Sequence, residues 1–226
     1  MQGSFEPQKL LHTLPLQIAD QIAESIVDGR FPPGSRLREN ELALSFNVSR
    51  STIREALRLL EQRSLVKIQP QRGAHVTQLS AKELDDLFEV RASLLATGSR
   101  LAAGRCTEAD ARALQDYIAR LQASVSDLRA YAAVSSELVD FVMRMSGNVV
   151  LADYIRDFAQ RIGRYVRLGL LLPERRKLSL STWEKIVAAI IRGDGESADA
   201  NHRKLALENR SAALAEFQRQ STTPVH

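Results

Sequence analysis

Apolar residues recur every three or four positions in three stretches near the start of the chain, which predicts three helices. The first helix covers residues 15–28. The second, a short helix, covers residues 39–46, and the third begins after the N-cap residue Ser49 and reaches about residue 62. The segment 31–34, FPPG, predicts a turn between the first two, because proline and glycine interrupt regular structure.

The hydrophobic pattern changes from helical to alternating after residue 62. Val66 and Ile68 alternate with polar residues, and Val76 resumes the apolar face after the segment 70–73, PQRG. Alternation with a period of two on both sides of turn-forming residues is typical of a β-hairpin. The pattern therefore predicts a hairpin directly after the third helix.

Only helical periodicity is found from Ser80 onward, and it predicts six helices joined by short connections. The fifth is predicted to open with a Ser181-x-x-Glu184 capping box. Such a pattern favours a mainly α fold class with a C-terminal antiparallel all-α bundle of six to seven helices, separated from the preceding part near Gln78. The predicted helices are 80–103, 107–125, 127–145, 148–171, 181–193 and 196–218.

Helix, turn, short helix, four-residue turn, helix and hairpin occur in the order of a winged helix-turn-helix, which we assign to residues 1–78. The helix that starts at Arg50 is the second of the turn pair, so its first residues would reach base edges in the major groove. Arg50 and Arg54 carry forked donors that suit guanine, and Arg72 with Gly73 at the hairpin tip suits a wing. The candidate DNA contacts are Arg38, Ser49, Arg50, Ser51, Thr52, Arg54, Arg72 and Gly73.

The distribution of charge favours a nucleic-acid partner more than the net charge does. The whole chain of 226 residues carries a formal charge of +4. Residues 30–72 contain nine Lys and Arg against four acidic residues, which is +5 in that stretch alone. A solvated basic face would account for the charge, but not for its coincidence with the ordered helix-turn-helix elements.

Cysteine usage and hydropathy bear on the compartment. The single cysteine, Cys106, excludes an internal disulfide and a CxxC metal site, and it favours a reducing cytosol. The longest apolar run, residues 168–172, is far too short to span a membrane. Residues 1–11 lack the apolar core of a signal peptide. We therefore expect a cytoplasmic protein without a membrane segment.

Three motifs of the first 76 residues resemble the DNA-binding domain of the GntR family of bacterial regulators. They are GRFPPG at 29–34, VSRSTIREAL at 48–57 and RG at 72–73. The chain departs from the family at Arg63-Ser64, where a glycine is usual. The resemblance implies DNA contacts from Arg50, Thr52, Arg54 and Gly73, with Ser49 and Ser51 close to the DNA backbone.

The helical part is similar to the effector domain of the FadR subfamily, often called FCD. The similarity rests on VR at 90–91, SGN at 146–148 and AIIRGD at 189–194, and it covers residues 81 to about 215. It implies that residues 79–226 form an effector-binding and dimerisation domain. One recognition helix covers too few base pairs for genomic specificity, so we expect a homodimer on a two-fold related double-stranded DNA operator.

Many FCD domains bind a divalent metal through one Asp and three His, and this chain lacks those residues. The corresponding positions hold Ser135, Val139, Trp183 and Leu205, none of which is such a ligand. Of the four histidines, His12, His75 and His226 lie outside the bundle or at its end, and we expect His202 to lie on a solvated helical face. The sequence therefore predicts no metal and no cofactor.

Two arginines fall on apolar stripes of predicted helices and mark a candidate pocket. Arg91 follows Leu84 and Phe88 at helical spacing, and Arg161 lies between Phe158 and Tyr165. A guanidinium that faces a core needs an anionic partner, which is either an internal carboxylate or a bound metabolite; snorkelling to solvent is the third outcome. The candidate ligand contacts are Arg91, Ser135, Val139, Asn148, Arg161, Trp183 and Leu205.

Three functions stay open from the residues. The first is a DNA-binding transcriptional regulator whose operator affinity is set by a small anionic metabolite in the helical domain. The second is a constitutive DNA-binding protein whose bundle only dimerises. An enzyme is the third and is not expected, because the chain has no P-loop, nucleophile elbow or GxGxxG, and Cys106 has no neighbouring histidine.

Overall fold

A computed structural model describes residues 13–222 of the chain, with the side chains of 221 and 222 left aside. These residues form nine helices and one three-stranded antiparallel sheet, which confirms the mainly α class. The chain divides into two compact units between Gln78 and Leu79. Residues 1–11, His12 and His226, on which the sequence made predictions, lie outside the described residues.

The first unit is built from three helices and a small sheet. Its elements are α1 Leu14–Val27, β1 Arg36–Leu37, α2 Glu39–Phe46, α3 Arg50–Gln62, β2 Val66–Gln69 and β3 Gly73–Val76. The core lies between α1, α3 and the sheet, where Ile22, Ile53 and Leu60 are inaccessible to solvent. The predicted three helices and hairpin are therefore present.

The sheet contains one strand that the pattern did not predict. β1 pairs antiparallel with β3, which places Arg36 opposite His75 and Leu37 opposite Ala74. The strand order is β1-β3-β2. A strand of two residues is too short to show alternation, so only the pairing reveals it.

Local backbone conformations set the direction of α3. Asn47 ends α2 in the left-handed region at φ 52°, which asparagine tolerates better than most residues. Ser49 then caps α3, because its Oγ accepts a hydrogen bond from the Thr52 amide at 3.2 Å. Ser64, at the place where the resemblance implies a glycine, also lies in the left-handed region at φ 59°. That conformation explains why glycine suits the position.

The second unit is a bundle of six helices. They are α4 Ala81–Ala103, α5 Glu108–Ser124, α6 Leu128–Met145, α7 Val149–Leu168, α8 Pro173–Ile191 and α9 Gly195–Thr222. α4 packs most extensively against α9, and α8 packs against both of these helices. None of the helices described between residues 13 and 222 has the length and apolar character that crossing a membrane requires.

The predicted start of α8 is wrong. The helix begins at Pro173, eight residues before the predicted Ser181 capping box, and Ser181 lies exposed in its interior. Proline is favoured in the first helical turn, where its fixed φ suits the helix and its missing N–H is not needed. A Ser-x-x-Glu pattern inside a helix is indistinguishable in sequence from one at its start. α7 also ends at Leu168, slightly earlier than predicted.

Arg176 joins the ends of two helices to α8. Its side chain is buried, and its guanidinium donates to the carbonyl oxygens of Val125 at 2.7 Å, Ser126 at 3.1 Å, Leu170 at 2.9 Å and Leu171 at 2.8 Å. These carbonyls follow the last turns of α5 and α7, where backbone acceptors lack helical partners. One buried cation therefore satisfies acceptors from two chain reversals.

We expect Arg176→Ala to lower the free energy of unfolding by about 3 kcal/mol, because it leaves several buried carbonyls without a donor. Urea denaturation followed by circular dichroism measures the loss. Lys177→Ala is the matched control, since Lys177 is exposed and pairs with exposed Glu174 at 3.0 Å, and it should change stability by less than about 0.5 kcal/mol. Equal stability of the two variants would contradict this role of Arg176.

Candidate DNA-binding surface and ligand cavity

A groove of about 600 Å³ lies between the N-terminal ends of α2 and α3 and the hairpin. It contains several of the predicted DNA contacts. The residues lining it include Arg36, Arg38, Glu39, Arg50, Arg54, Gln69, Gln71 and Gly73. Four arginines in one groove of this size give it the positive charge that phosphates attract.

Hydroxyl groups gather at the N-terminus of α3. Ser49 Oγ lies 2.7 Å from Ser51 Oγ and 2.8 Å from Thr52 Oγ1. The first amide groups of a helix and its dipole favour negative charge at this end. The predicted residues Ser49, Ser51 and Thr52 thus occupy a position that suits a DNA phosphate.

Two arginines of the groove are held by carboxylates. Arg54 Nε donates to Glu39 Oε2 at 2.8 Å, and Arg38 Nη1 donates to Glu41 Oε1 at 2.9 Å. Both pairs are well exposed to solvent. Exposed ion pairs contribute little free energy, so either arginine can exchange its carboxylate for a base or phosphate at small cost.

The sequence pattern did not indicate Arg36, whereas Arg72 lies at the hairpin tip as predicted. Arg36 lines the groove, and its guanidinium lies beside Gly73, where an added Cβ would be 3.6 Å from Arg36 Nε. The pairing of β1 with β3 brings it there. Arg72 is exposed at the hairpin tip and does not line the groove. The alternation of Arg36 and Arg38 around buried Leu37 could have indicated the extra cation.

The second unit contains a small cavity of about 30 Å³ between its helices. Five predicted ligand contacts meet there: Arg91, Ser135, Val139, Trp183 and Leu205. They come from four helices, α4, α6, α8 and α9, on which cavity-facing residues follow each other at three or four positions. The other lining residues are Leu95, Val166, Leu170, Ser179, His202, Ala206 and Asn209.

Asn148 and Arg161, also predicted as ligand contacts, do not line this cavity. The Asn148 side chain is exposed and caps α7 by accepting a hydrogen bond from the Leu151 amide at 3.1 Å. Arg161 lies about 140° around α7 from Val166, the residue that this helix contributes to the cavity. Its apolar neighbours belong to a separate cluster of the core.

Arg91 has no carboxylate partner among the described residues. It is half-buried, and desolvation lowers the pKa of its guanidinium to about 10, so it stays charged at neutral pH. The sequence allowed two structural roles for Arg91, an internal ion pair or a side chain that extends to solvent. The internal ion pair is not observed among the described residues. The charge faces a cavity whose lining contains no acidic residue.

His202 is buried, which corrects the expectation of a solvated face. Only 1% of its surface is exposed, its Nδ1 lies 2.6 Å from Ser99 Oγ, and its ring stacks edge-on against Trp183 at 4.9 Å between centroids. Burial, and then the charge of Arg91, lower the pKa of this imidazole to about 3. The histidine is therefore neutral at physiological pH.

Three polar atoms of the buried cavity wall have no hydrogen-bond partner among the described residues. They are Trp183 Nε1, His202 Nε2 and Asn209 Oδ1. Within the same part of the chain, no three His, Cys, Asp or Glu side chains are grouped as a metal would require. The donors of the wall suit an anion, and its residues do not form a divalent-metal site.

Comparison with known families assigns both units. The pattern of the bacterial regulatory proteins of the GntR family matches residues 14–76, and that of the FCD domain matches residues 86–215, more than half of the chain. The chain belongs to the GntR family. Its members are DNA-binding transcriptional regulators, and here the helix-turn-helix is followed by an FCD domain.

Individual relatives agree with this assignment. The GntR-family chain is 32% identical over 142 residues to the Nta operon transcriptional regulator of Aminobacter aminovorans, which covers 62% of this chain and 67% of that protein. It is 46% identical over 79 residues to the HTH-type transcriptional regulator YdhC of Bacillus subtilis. That alignment spans only 35% of either protein, and a similar one to BphR of Paraburkholderia xenovorans spans 30% of the relative.

Solved structures share the fold. The chain matches E. coli McbR/YncC with a TM-score of 0.81 at 20% identity, over 93% of this chain and 100% of that one. A GntR regulator from Rhodococcus matches with a TM-score of 0.72, also at 20% identity. At this identity the likeness establishes the fold of the GntR-family chain.

We expect Arg54→Ala to weaken binding to the native operator by about 1–3 kcal/mol, because the guanidinium suits a guanine edge. Fluorescence anisotropy with operator DNA and with a scrambled duplex measures the loss, which should be smaller on the scrambled duplex. The matched control is Arg58→Ala, one turn further along α3 and outside the groove. An equal loss on both duplexes would mean that Arg54 contacts phosphate only.

Proposed function

We propose that this GntR-family regulator belongs to the FadR subfamily and that a small anion, bound in the bundle cavity, controls its affinity for DNA. The observation that carries the proposal is the guanidinium of Arg91, which faces the cavity without a carboxylate partner among the described residues. Arg54 and the other groove residues would read the operator. We assign no catalytic role, in keeping with a family of transcriptional regulators.

The charge balance supports an anionic ligand. Desolvating a guanidinium without a counter-ion is unfavourable, and a carboxylate or phosphate that pairs with Arg91 would offset that cost. Trp183 Nε1 and Ser135 Oγ lie on the same wall and would add donors. Because the positions of the usual metal ligands hold Ser135, Val139, Trp183 and Leu205, the positive charge of the site must come from arginine.

The size of the cavity suggests how binding would be transmitted. About 30 Å³ holds a few water molecules, whereas ligand pockets are commonly about 300–1,000 Å³. A metabolite would therefore have to move the surrounding helices. α4 carries Arg91 and begins at Ala81, directly after the boundary between the two units. A shift of α4 would reach the chain that leads to the DNA-binding unit.

The same small volume favours a second candidate, a constitutive DNA-binding protein whose bundle only dimerises. In that case the cavity would be a packing defect, and no anion would change the affinity for DNA. The two candidates differ in one measurable property, the response of operator binding to small anions.

We expect Arg91→Ala to abolish the response to anions while leaving anion-free operator binding within about twofold. Operator affinity is titrated with acetate, glycolate, succinate and malate, and the anion that changes it most is then compared between variants. Loss of one charged pair should lower the affinity of the protein for that anion by at least about tenfold. Lys82→Ala on the same helix is the control, since Lys82 is exposed and pairs with Asp86 at 2.9 Å.

The measurement separates the two candidates and the role of metal. A response that survives chelator, in protein whose elemental analysis finds no stoichiometric zinc, nickel or manganese, agrees with an arginine-based site. If no anion alters operator binding of the unmodified chain, the result favours the constitutive DNA-binding protein. An Arg91→Ala variant that no longer folds would show that this arginine is structural.

We also propose that the protein is a homodimer on a two-fold operator, with half-sites about one helical turn apart or closer. Light scattering at micromolar concentration is expected to give about twice the chain mass of 25.1 kDa for the free protein, and that mass plus one duplex for the complex with DNA. The expectation rests on the short footprint of one recognition helix. A monomer under both conditions would remove it.

A further inference from the structure

We infer that Asn209 is a specificity-determining residue, and that the anion it selects carries a hydroxyl group beside its carboxylate. The inference rests on the proposed function, because it concerns the same cavity. Its basis is separate: it comes from the hydrogen-bonding role of one buried side chain. Asn209 lies on α9, lines the cavity and is only 5% exposed.

The orientation of the Asn209 amide is fixed by its neighbour. Nδ2 donates to the Val166 carbonyl oxygen at 3.1 Å, and a carbonyl can only accept. Exchanging the two ends of the amide would place two acceptors against each other. Oδ1 is therefore the atom without a partner among the described residues, and it can only accept a hydrogen bond.

The remaining unpaired atoms of the wall are donors. Trp183 Nε1 can only donate. Ser99 Oγ makes its one hydrogen bond within residues 13–222 to His202 Nδ1, so we assign the hydroxyl proton to this bond and the ring proton to His202 Nε2. With the charge of Arg91, the unpaired buried atoms of the wall are thus several donors and one acceptor, while the hydroxyl groups of Ser135 and Ser179 can donate or accept.

A ligand must match both kinds of group. A plain carboxylate would accept from Arg91 and from the ring N–H groups, but it would leave Asn209 Oδ1 buried and unpaired. A hydroxyl next to the carboxylate would donate to Oδ1 and remove that penalty. An ammonium group could also donate, but it would bring a second positive charge to a cavity that already holds Arg91 and has no acidic lining residue.

The backbone near Asn209 leaves space for this side chain. An added Cβ on Gly169 would come within 2.6 Å of the Asn209 carbonyl oxygen and closer still to its amide nitrogen. Gly169 has a φ of −65°, an ordinary value for any residue, so its backbone conformation does not require glycine. Glycine is required instead because α9 approaches closely at this point, and this close approach brings the Asn209 amide to the cavity.

The test compares acids that differ only in one hydroxyl, by calorimetric titration of the full chain. The pairs are glycolate with acetate, malate with succinate, and mandelate with phenylacetate; glycine and alanine test the ammonium. We expect at least one hydroxy acid to bind about tenfold or more tightly than its partner, and the amino acids to bind more weakly still. In Asn209→Leu, of similar volume, the hydroxy acid should lose this advantage.

Two controls keep the outcomes distinct. Asn201→Leu alters an amide of the same helix that does not line the cavity, and it should keep the preference. Gly169→Ala should displace Asn209 and reduce the preference, which covers the case in which Asn209→Leu does not fold. Equal binding within every pair, still dependent on Arg91, would overturn the role of Asn209 and leave the proposed function standing. Binding of no acid, or binding independent of Arg91, would overturn both.

Discussion

The buried hydrogen bond between Ser99 on α4 and His202 on α9 is the contact on which the second unit depends. The two atoms are 2.6 Å apart, and both residues are almost completely excluded from solvent. Because α4 and α9 form the most extensive helix pair of the bundle, this bond fixes their register. Arg91, two turns before Ser99, and Asn209, two turns after His202, are thereby brought to the same cavity. A neutral imidazole is needed for this arrangement, and burial beside Arg91 ensures it.

Local chemistry made much of the fold predictable. The residues around Ser49 specify an N-cap and a recognition helix by themselves, and the cap bond to Thr52 is present as expected. The positions of Ser135, Val139, Trp183 and Leu205 also converge as the family spacing implies, since residues four apart share a helix face. The prediction of their role as ligand contacts stays a prediction.

Tertiary packing decided what the sequence could not show. His202 stands between Asn201 and Arg203, so its helix has no clear apolar stripe, and only the approach of α4 buries it. Ser181 is not the start of a helix, because α8 begins eight residues earlier, at Pro173. The Asn148 side chain caps α7. Arg161 lies on a different side of α7 from Val166, the residue of this helix that lines the cavity. The position of Arg36 depends on the pairing of β1 with β3, and a strand of two residues is too short to be predicted from the sequence.

The two units treat their arginines in opposite ways, and the difference follows from solvent. On the groove, Arg38 and Arg54 are exposed and pair with Glu41 and Glu39, which holds them in place at little free-energy cost and releases them easily. In the cavity, Arg91 is half-buried and partly desolvated, and no carboxylate of the described chain compensates its charge. Donors and an acceptor on the same wall have no hydrogen-bond partner among the described residues, so they are available to a bound group. Under the proposed function, an anion that pairs with them would stabilise the bundle by mass action, and recognition and helix packing would then be a single equilibrium.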